Sequence, residues 1–223
     1  METDLRFDLH GAQLFPGAVR DSIDALAQAL SHLPAHRAGV RIASVEALSP
    51  FLTPDGPIGA IAAKILGPGL RAVRAIMFDK TDEMNWSLTW HQDRTICVKQ
   101  RIDVAGFEPW TTKGGMQHVT PPFDLLMQMV TLRVHLDDVS AFNAPLLIAP
   151  GSHRLGRVPV NAVEDAVRRC GTHTCLATAG DVWLYATPIL HASEAATRPA
   201  RRRVLQIDFA VGDLPGGLEW LGV

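Results

Sequence analysis

Hydrophobic positions fall into two regimes along the chain. In the first seventy residues they recur at helical spacing. Pro16 stands where a first-turn proline is tolerated, and Val19, Ile23, Leu26, Leu30 and Leu33 follow at steps of four, three, four and three. Pro34 and Gly39 bracket the end of that helix. A second helix is predicted after Asp55-Gly56-Pro57, with Ile58, Ile61, Ala62 and Ile65 on one face and a stop at Gly67-Pro68-Gly69.

From about residue 71 the pattern becomes short, strand-like and punctuated by turns. Strands are predicted at Arg74–Lys80, Leu88–Val98, Met129–Leu136, Leu146–Ala149, Asp181–Tyr185 and Val204–Ala210. The clearest alternation sets Val130, Leu132, Val134 and Leu136 on one face and Thr131, Arg133 and His135 on the other. One helix interrupts the strands at Ala162–Cys170, with Asn161 as its N-cap and Gly171 as its stop. Six or more short strands with Gly/Pro turns predict a mainly β fold, a sandwich or barrel with flanking helices, rather than a βαβ sheet. No glycine-rich phosphate loop precedes a helix, which removes support for nucleotide folds.

Composition narrows the function. The 223 residues suffice for one domain with its own core, and 47% apolar with 20% charged residues excludes overall disorder. We expect a single domain over 1–223, with helical support to about residue 70 and the β core over about 71–212. A net charge of −2 argues against nucleic acid as a partner. Cys97, Cys170 and Cys175 form no disulfide framework and no zinc pattern. With no apolar run of membrane-spanning length and an acidic start, Met1-Glu2-Thr3-Asp4, the expectation is a cytoplasmic protein without a membrane partner. His10, His32 and His36 are expected at the surface of the helical region.

The sharpest chemical feature is Trp90-His91-Gln92-Asp93. On a strand, residues i and i+2 share a face, so His91 and Asp93 are suited to bind one metal ion. His191, in Leu190-His191-Ala192-Ser193, is the best third ligand. Two histidines and one carboxylate on one side of an ion leave positions open and suit non-haem Fe(II). The pair alone is a weak signal, because His135-Leu136-Asp137 repeats it. Arg201-Arg202-Arg203 leads into a strand. Arg202 shares parity with Gln206 and Asp208, whereas its neighbours share parity with Leu205, Ile207 and Phe209. An arginine on the polar face is placed to hold a carboxylate by a two-pronged hydrogen bond.

Taken in order, several blocks resemble the phytanoyl-CoA dioxygenase family of Fe(II)/2-oxoglutarate oxygenases. They are Asn85 to Asp93, Leu132 to Asp138, Asn143-Ala144-Pro145-Leu146 into Pro150-Gly151-Ser152-His153-Arg154, Gly180 to Leu184, His191-Ala192-Ser193, and Arg202 to Leu205. The blocks span about residues 75–210. The resemblance implies a double-stranded β-helix, a cupin-like jelly roll. It implies Fe(II) held by His91, Asp93 and His191, with no catalytic side chain beyond these ligands. It implies 2-oxoglutarate as cosubstrate with O2, its far carboxylate held by Arg202 and Ser193, and Gln92 and Trp110 lining the cosubstrate or substrate pocket. The jelly roll must fit several strands between the metal pair and the distal histidine, which favours His91/Asp93 over His135/Asp137. The implied activity is hydroxylation of a small molecule with release of succinate and CO2. Two alternatives remain: a cupin-type metal enzyme that does not use 2-oxoglutarate, and a non-catalytic protein that binds metal and 2-oxoglutarate. The stretch 111–122, Gly-rich and followed by Pro121-Pro122, reads either as a lid or as a connector.

Overall fold

The computed structural model describes residues 5–34, 37 and 39–223. His36 and the acidic tetrapeptide at 1–4 lie outside the described residues. His32 is exposed, and His10 is half-buried.

In chain order the strands are β1 (Ala12–Phe15), β2 (Gly39–Ile42), β3 (Leu70–Lys80), β4 (Leu88–His91), β5 (Ile96–Val98), β6 (Trp110–Lys113), β7 (Met116–Val119), β8 (Val130–His135), β9 (Leu146–Ile148), β10 (His173–Cys175), β11 (Val182–Ala186), β12 (His191–Ser193) and β13 (Arg202–Val211). The helices are α1 (Phe7–His10), α2 (Ile23–Ala29), α3 (Ser49–Leu52), α4 (Gly59–Leu66), α5 (Phe123–Met127) and α6 (Val163–Cys170). Six strands form one antiparallel sheet in the order β1-β11-β8-β13-β3-β2, and four form a second in the order β10-β9-β12-β4. Facing each other, the two sheets make the expected jelly roll.

Alternation along the large sheet separates two kinds of interior. Leu132, Val134, Leu205, Ile207 and Phe209 point outward into an apolar core with Leu26 and Leu30 from the α2 region and Ile61 and Ala62 from α4. That core is the face the helical spacing predicts, with two exceptions, of which the first is Ile23, half-buried and outside the cluster. Ile65, the second, is 38% exposed, and Leu66, four residues after Ala62 on the last turn, packs in its place. The opposite face carries Arg74, Lys80, Thr131, Arg133, His135, Arg202, Gln206 and Asp208, all buried. These side chains point between the sheets, where Ile148, Trp183 and Tyr185 pack at one end.

Four expectations are corrected. Residues 88–98 are not one strand: the chain leaves the small sheet after His91, and β5 joins a separate three-stranded sheet, β5-β7-β6. Pro16-Gly17 forms a turn rather than a helix start, since β1 ends at Phe15 and α2 begins only at Ile23. The N-terminal region is not helical support alone, because β1 and β2 form the edges of the large sheet. Asn161 lies within a 3-10 turn, Val160–Ala162, and no side chain caps α6, although Gly171 ends it with φ 76° as expected.

Gly180-Asp181 sets the approach to β11. Gly180 has φ 92°, and a Cβ there would stand 2.8 Å from the Arg20 Cα, so only glycine fits. The Asp181 carboxylate accepts from the backbone N–H of Gly17 at 2.7 Å and of Thr178 at 2.7 Å, which ties the N-terminal turn to the barrel.

Candidate active site

His191 of β12 pairs directly with His91 of β4, so their imidazoles project side by side, with ring centroids 4.2 Å apart. Asp93 follows two residues after β4, where the chain has left the sheet and turns its carboxylate back toward the pair. One ligand atom from each of the three residues lies within 4.8 Å of the others. Among the described residues this is the only group of three or more His, Cys, Asp and Glu side chains so placed.

Hydrogen bonds fix which nitrogens are free. His91 Nδ1 lies 2.8 Å from the Thr89 carbonyl and His191 Nδ1 lies 3.0 Å from the Ile189 carbonyl. Both Nδ1 atoms therefore donate to backbone, and both Nε2 lone pairs remain for a metal. Burial and the neighbouring His91 push His191 down to about 4, so its imidazole is neutral at physiological pH, the form that ligates. Burial works against the charge on Asp93. Arg74 more than offsets it and holds that carboxyl below its usual range.

Arg74 is the organising cation here. Its Nη2 donates to Asp93 at 3.1 Å and its Nε to Asp208 at 2.5 Å. Asp208 also accepts from the Thr131 hydroxyl at 3.0 Å. Burial and the nearby Asp93 push Asp208 upward, whereas Asp93 is held below its usual range. A carboxylate gripped through one oxygen presents the other to a metal.

Gln92 sits between two of the ligands but does not line the site. Its amide donates to the carbonyls of Gly156 at 3.0 Å and Pro188 at 2.8 Å, and its oxygen accepts from Val158 N at 2.9 Å. Every polar atom of the side chain is thereby engaged with backbone, and Gln92 acts as a clamp behind its neighbours. The second motif copy is also resolved. Arg203 grips Asp137 with Nε at 2.9 Å and Nη2 at 2.7 Å, which leaves that carboxylate no role inside the barrel.

The arginine cluster divides as its parity predicts. Arg203 is held outside by Asp137, and Arg201, 57% exposed, by Asp79 at 3.1 Å. Arg202 points inward and is 2% exposed. Its Nη1 donates to the Ala144 carbonyl at 2.7 Å, and its Nε has no partner. Burial, with Arg133 nearby, pushes Arg202 down to about 9, still cationic at neutral pH. Ser193 Oγ reaches the same Ala144 carbonyl at 3.2 Å, so Ser193 and Arg202 converge on one point. Ala144 has φ 50°, a strained value for a residue with a side chain. Its neighbour Asn143 accepts from the Ala200 N–H at 3.2 Å, docking the start of β13. The Asn143-Ala144-Pro145 block thus aims both side chains.

The sequence reading missed Arg74, Lys80 and the inward direction of His135. Lys80 lies opposite Arg202 on β3, with Nζ 2.6 Å from the Trp86 carbonyl and 3.4 Å from Ser193 Oγ. Burial, then Arg202 and Arg133, push Lys80 down to about 8. Strand parity with the strong site residues of β13 was the available signal.

Trp110 is placed elsewhere. It lies in β6, packs half-buried on the cluster of Val73, Phe107 and Trp220, and carries Arg101 over its ring at 5.5 Å. The 111–122 stretch is mostly a β-hairpin, β6–β7, turning at Gly114-Gly115. His118 within it lies 3.0 Å from Cys97 Sγ, which secures the hairpin to β5.

The fold is a jelly roll, and three of its side chains stand where they could hold one metal ion. Residues 56–204, more than half of the chain, match the phytanoyl-CoA dioxygenase family, and the chain belongs to that family of Fe(II)- and 2-oxoglutarate-dependent non-haem iron oxygenases. No curated protein sequence matches it significantly. Among solved structures it is similar to apo EctD from S. alaskensis, with TM-score 0.67, 17% identity, and coverage of 97% of this chain and 78% of that one. It is also similar to the α-ketoglutarate-dependent epimerase SnoN from nogalamycin biosynthesis, at TM-score 0.67, 19% identity and 95% and 86% coverage. HygX from Streptomyces hygroscopicus, solved with nickel and 2-oxoglutarate, gives TM-score 0.62, 17% identity and 92% and 84% coverage. Among the described residues no helix is long and apolar enough to cross a membrane.

Proposed function

We propose that this chain hydroxylates a small-molecule metabolite, with Fe(II) held by His91, Asp93 and His191 and 2-oxoglutarate anchored by Arg202 and Ser193. The observation that carries this is the pairing of two unsatisfied sites in one barrel. One is a triad with free Nε2 atoms and an ionised carboxylate. The other is a buried arginine with no carboxylate partner among the described residues. A buried cation without a counter-charge is costly, and the far carboxylate of a keto diacid supplies one.

When bound, the iron and keto diacid supply oxidative decarboxylation coupled to oxygen insertion into a C–H bond, yielding succinate and CO2. The chain supplies position and exclusion of water. Arg74 keeps Asp93 ionised and oriented. The Thr89 and Ile189 carbonyls fix the histidine tautomers. Arg202 and Ser193 set the distance and direction of the cosubstrate from the triad. A cupin-type enzyme without 2-oxoglutarate has no use for Arg202, which disfavours that alternative.

The test is succinate formation from 2-oxoglutarate under air with added Fe(II), with and without a substrate panel. Wild-type protein is expected to form succinate slowly without substrate, His191→Ala not at all, and Arg202→Ala only at much raised 2-oxoglutarate. Metal and 2-oxoglutarate binding with no succinate under any condition would support the non-catalytic alternative.

A further inference from the structure

At one side of the barrel, Ala12 and Leu14 of β1 share an apolar cluster with Cys175 of β10, and the two sheets are sealed there. At the other side the edge strands are β2 and β4. Among the described residues no apolar cluster contains side chains of both, so the barrel has a mouth between them, and His91 stands on its β4 rim. The β2 rim carries Arg41. It is opposite Ile76, which shares a face with the buried Arg74 and Lys80 of β3, so its side chain points to the inside. Among the described residues Arg41 Nε is buried without a hydrogen-bond partner and Arg41 is in no ion pair. The hairpin β6–β7 overhangs this rim. Gly114 and Gly115 at its tip have φ 59° and 78°, the positive values a two-residue turn of type I′ requires. A Cβ on Gly114 would lie 3.7 Å from Arg41 Cδ, so the tip rests against the arginine. The register puts Lys113, Met116, His118 and Cys97 on one face of the three-stranded sheet, whereas Ile96, Trp110 and Val119 turn the other into an apolar cluster. Burial pushes His118 down, and Arg74, Arg41 and Lys113 add to that against its one bond to the Met116 carbonyl. Three cations therefore border one space, and of these only Arg74 is paired with acids.

We propose that Arg41, with Lys113 at the rim, binds an anionic group of the primary substrate, a carboxylate or a phosphate, so that the substrate class is small organic acids or phosphate esters. That the anion belongs to a substrate rests on the function proposed above; its binding at Arg41 does not. Arg41 is not a second anchor for the cosubstrate. Its partner on β3, Ile76, is four residues from Lys80, the partner of Arg202, which is about 13 Å along the strand. The two arginines also stand on strands at opposite sides of β3, so one carboxylate does not serve both. A planar guanidinium grips a carboxylate or a phosphate through two parallel hydrogen bonds. A buried N–H without an acceptor is costly, and such a group relieves it. An anion held at the β2 rim leaves the remainder of the molecule to cross the mouth toward His91 and Asp93. Arg41 is therefore a specificity-determining residue, selecting by charge and fixing which part of the substrate approaches the metal site.

The test uses nickel-loaded protein with saturating 2-oxoglutarate, so that the triad and Arg202 are occupied. Benzoate, phenyl phosphate and benzamide are titrated into it and followed by saturation-transfer NMR. Both anions are expected to bind and the neutral amide is not; the relative affinity of the two anions tells a carboxylate site from a phosphate site. Arg41→Gln should weaken anion binding about tenfold, and Arg41→Lys should restore part of it. Circular dichroism and 2-oxoglutarate affinity show whether each variant keeps the barrel, and the benzoate–benzamide comparison needs no variant. The inference is overturned if neither anion binds, if benzamide binds as well as benzoate, or if Arg41→Gln binds both anions as wild type does. Those results leave the proposed function standing wherever iron-dependent succinate formation is seen. Conversely, Arg41-dependent anion binding in a protein that never forms succinate removes the proposed function and keeps the anion site.

Discussion

At the scale of single residues, the site depends on side chains that touch no metal. Arg74 is the clearest case. It holds Asp93 and Asp208 at once, and its removal frees the ligand carboxylate and strands a second acid in the interior. We predict that Arg74→Met lowers affinity for nickel or cobalt by about 10–100-fold, with Arg74→Lys intermediate, measured by metal titration. The candidate triad was legible in the sequence as residue types at close spacing, although β4 ends at His91 and it is the turn after it, not strand alternation, that brings Asp93 beside the histidines. Arg74 was not, because its role depends on pairing with a strand 134 residues away. Gln92 misled for a related reason. Adjacency to two candidate ligands suggests a pocket residue, yet backbone groups of 156–158 and 188 take up every polar atom of the side chain.

At the scale of elements, β13 carries the argument. Its alternation puts Arg202 on the buried polar face, and the pairing of its neighbours adds the physical reason. Arg201 and Arg203 are tethered outside by Asp79 and Asp137, so Arg202 has no choice but to face inward. Breaking one tether should loosen that aim. Arg203→Ala is expected to cost about 1 kcal/mol of stability, because the pair is partly solvated, and to raise the KM for 2-oxoglutarate several-fold with kcat little changed. Where the reading of elements failed, the pattern held no signal. Nothing in 88–98 marks a break, since neither glycine nor proline occurs there, yet the chain must leave the sheet to bring Asp93 beside the histidines. The four-residue strands β1 and β2 are too short to reveal a period, and their identity comes only from the sheet edges they complete.

At the scale of the whole molecule, the polar faces of the large-sheet strands are buried. Ordinary half-buried strands turn that face to water. Here it lines the space between two sheets, and the cost is visible in the groups it perturbs. Burial, Arg133 and Arg202 push His135 down to about 3. Above pH 6.5 His135 is neutral in both states and costs nothing. As pH falls below 6.5 the unfolded chain binds a proton that the folded barrel refuses, so stability is lost progressively toward pH 3. Between pH 7.5 and 5.0 this group should account for about 2 kcal/mol. Denaturant melts of metal-free protein at the two values should show the larger drop in wild type and a smaller one in His135→Leu, the difference isolating His135 from the other buried histidines.

The central claim is that one barrel brings a metal triad and a carboxylate anchor to the same small ligand. Its most direct test is an anaerobic titration of metal-free protein with Fe(II) and 2-oxoglutarate, followed through the weak visible charge-transfer band of the iron–keto acid chelate. The account predicts a band in wild type, its loss in His191→Ala, and in Arg202→Ala a band that appears only at much higher 2-oxoglutarate. Tight iron binding without a band, unaffected by Arg202→Ala, would contradict it and move the cupin-type reading to first place.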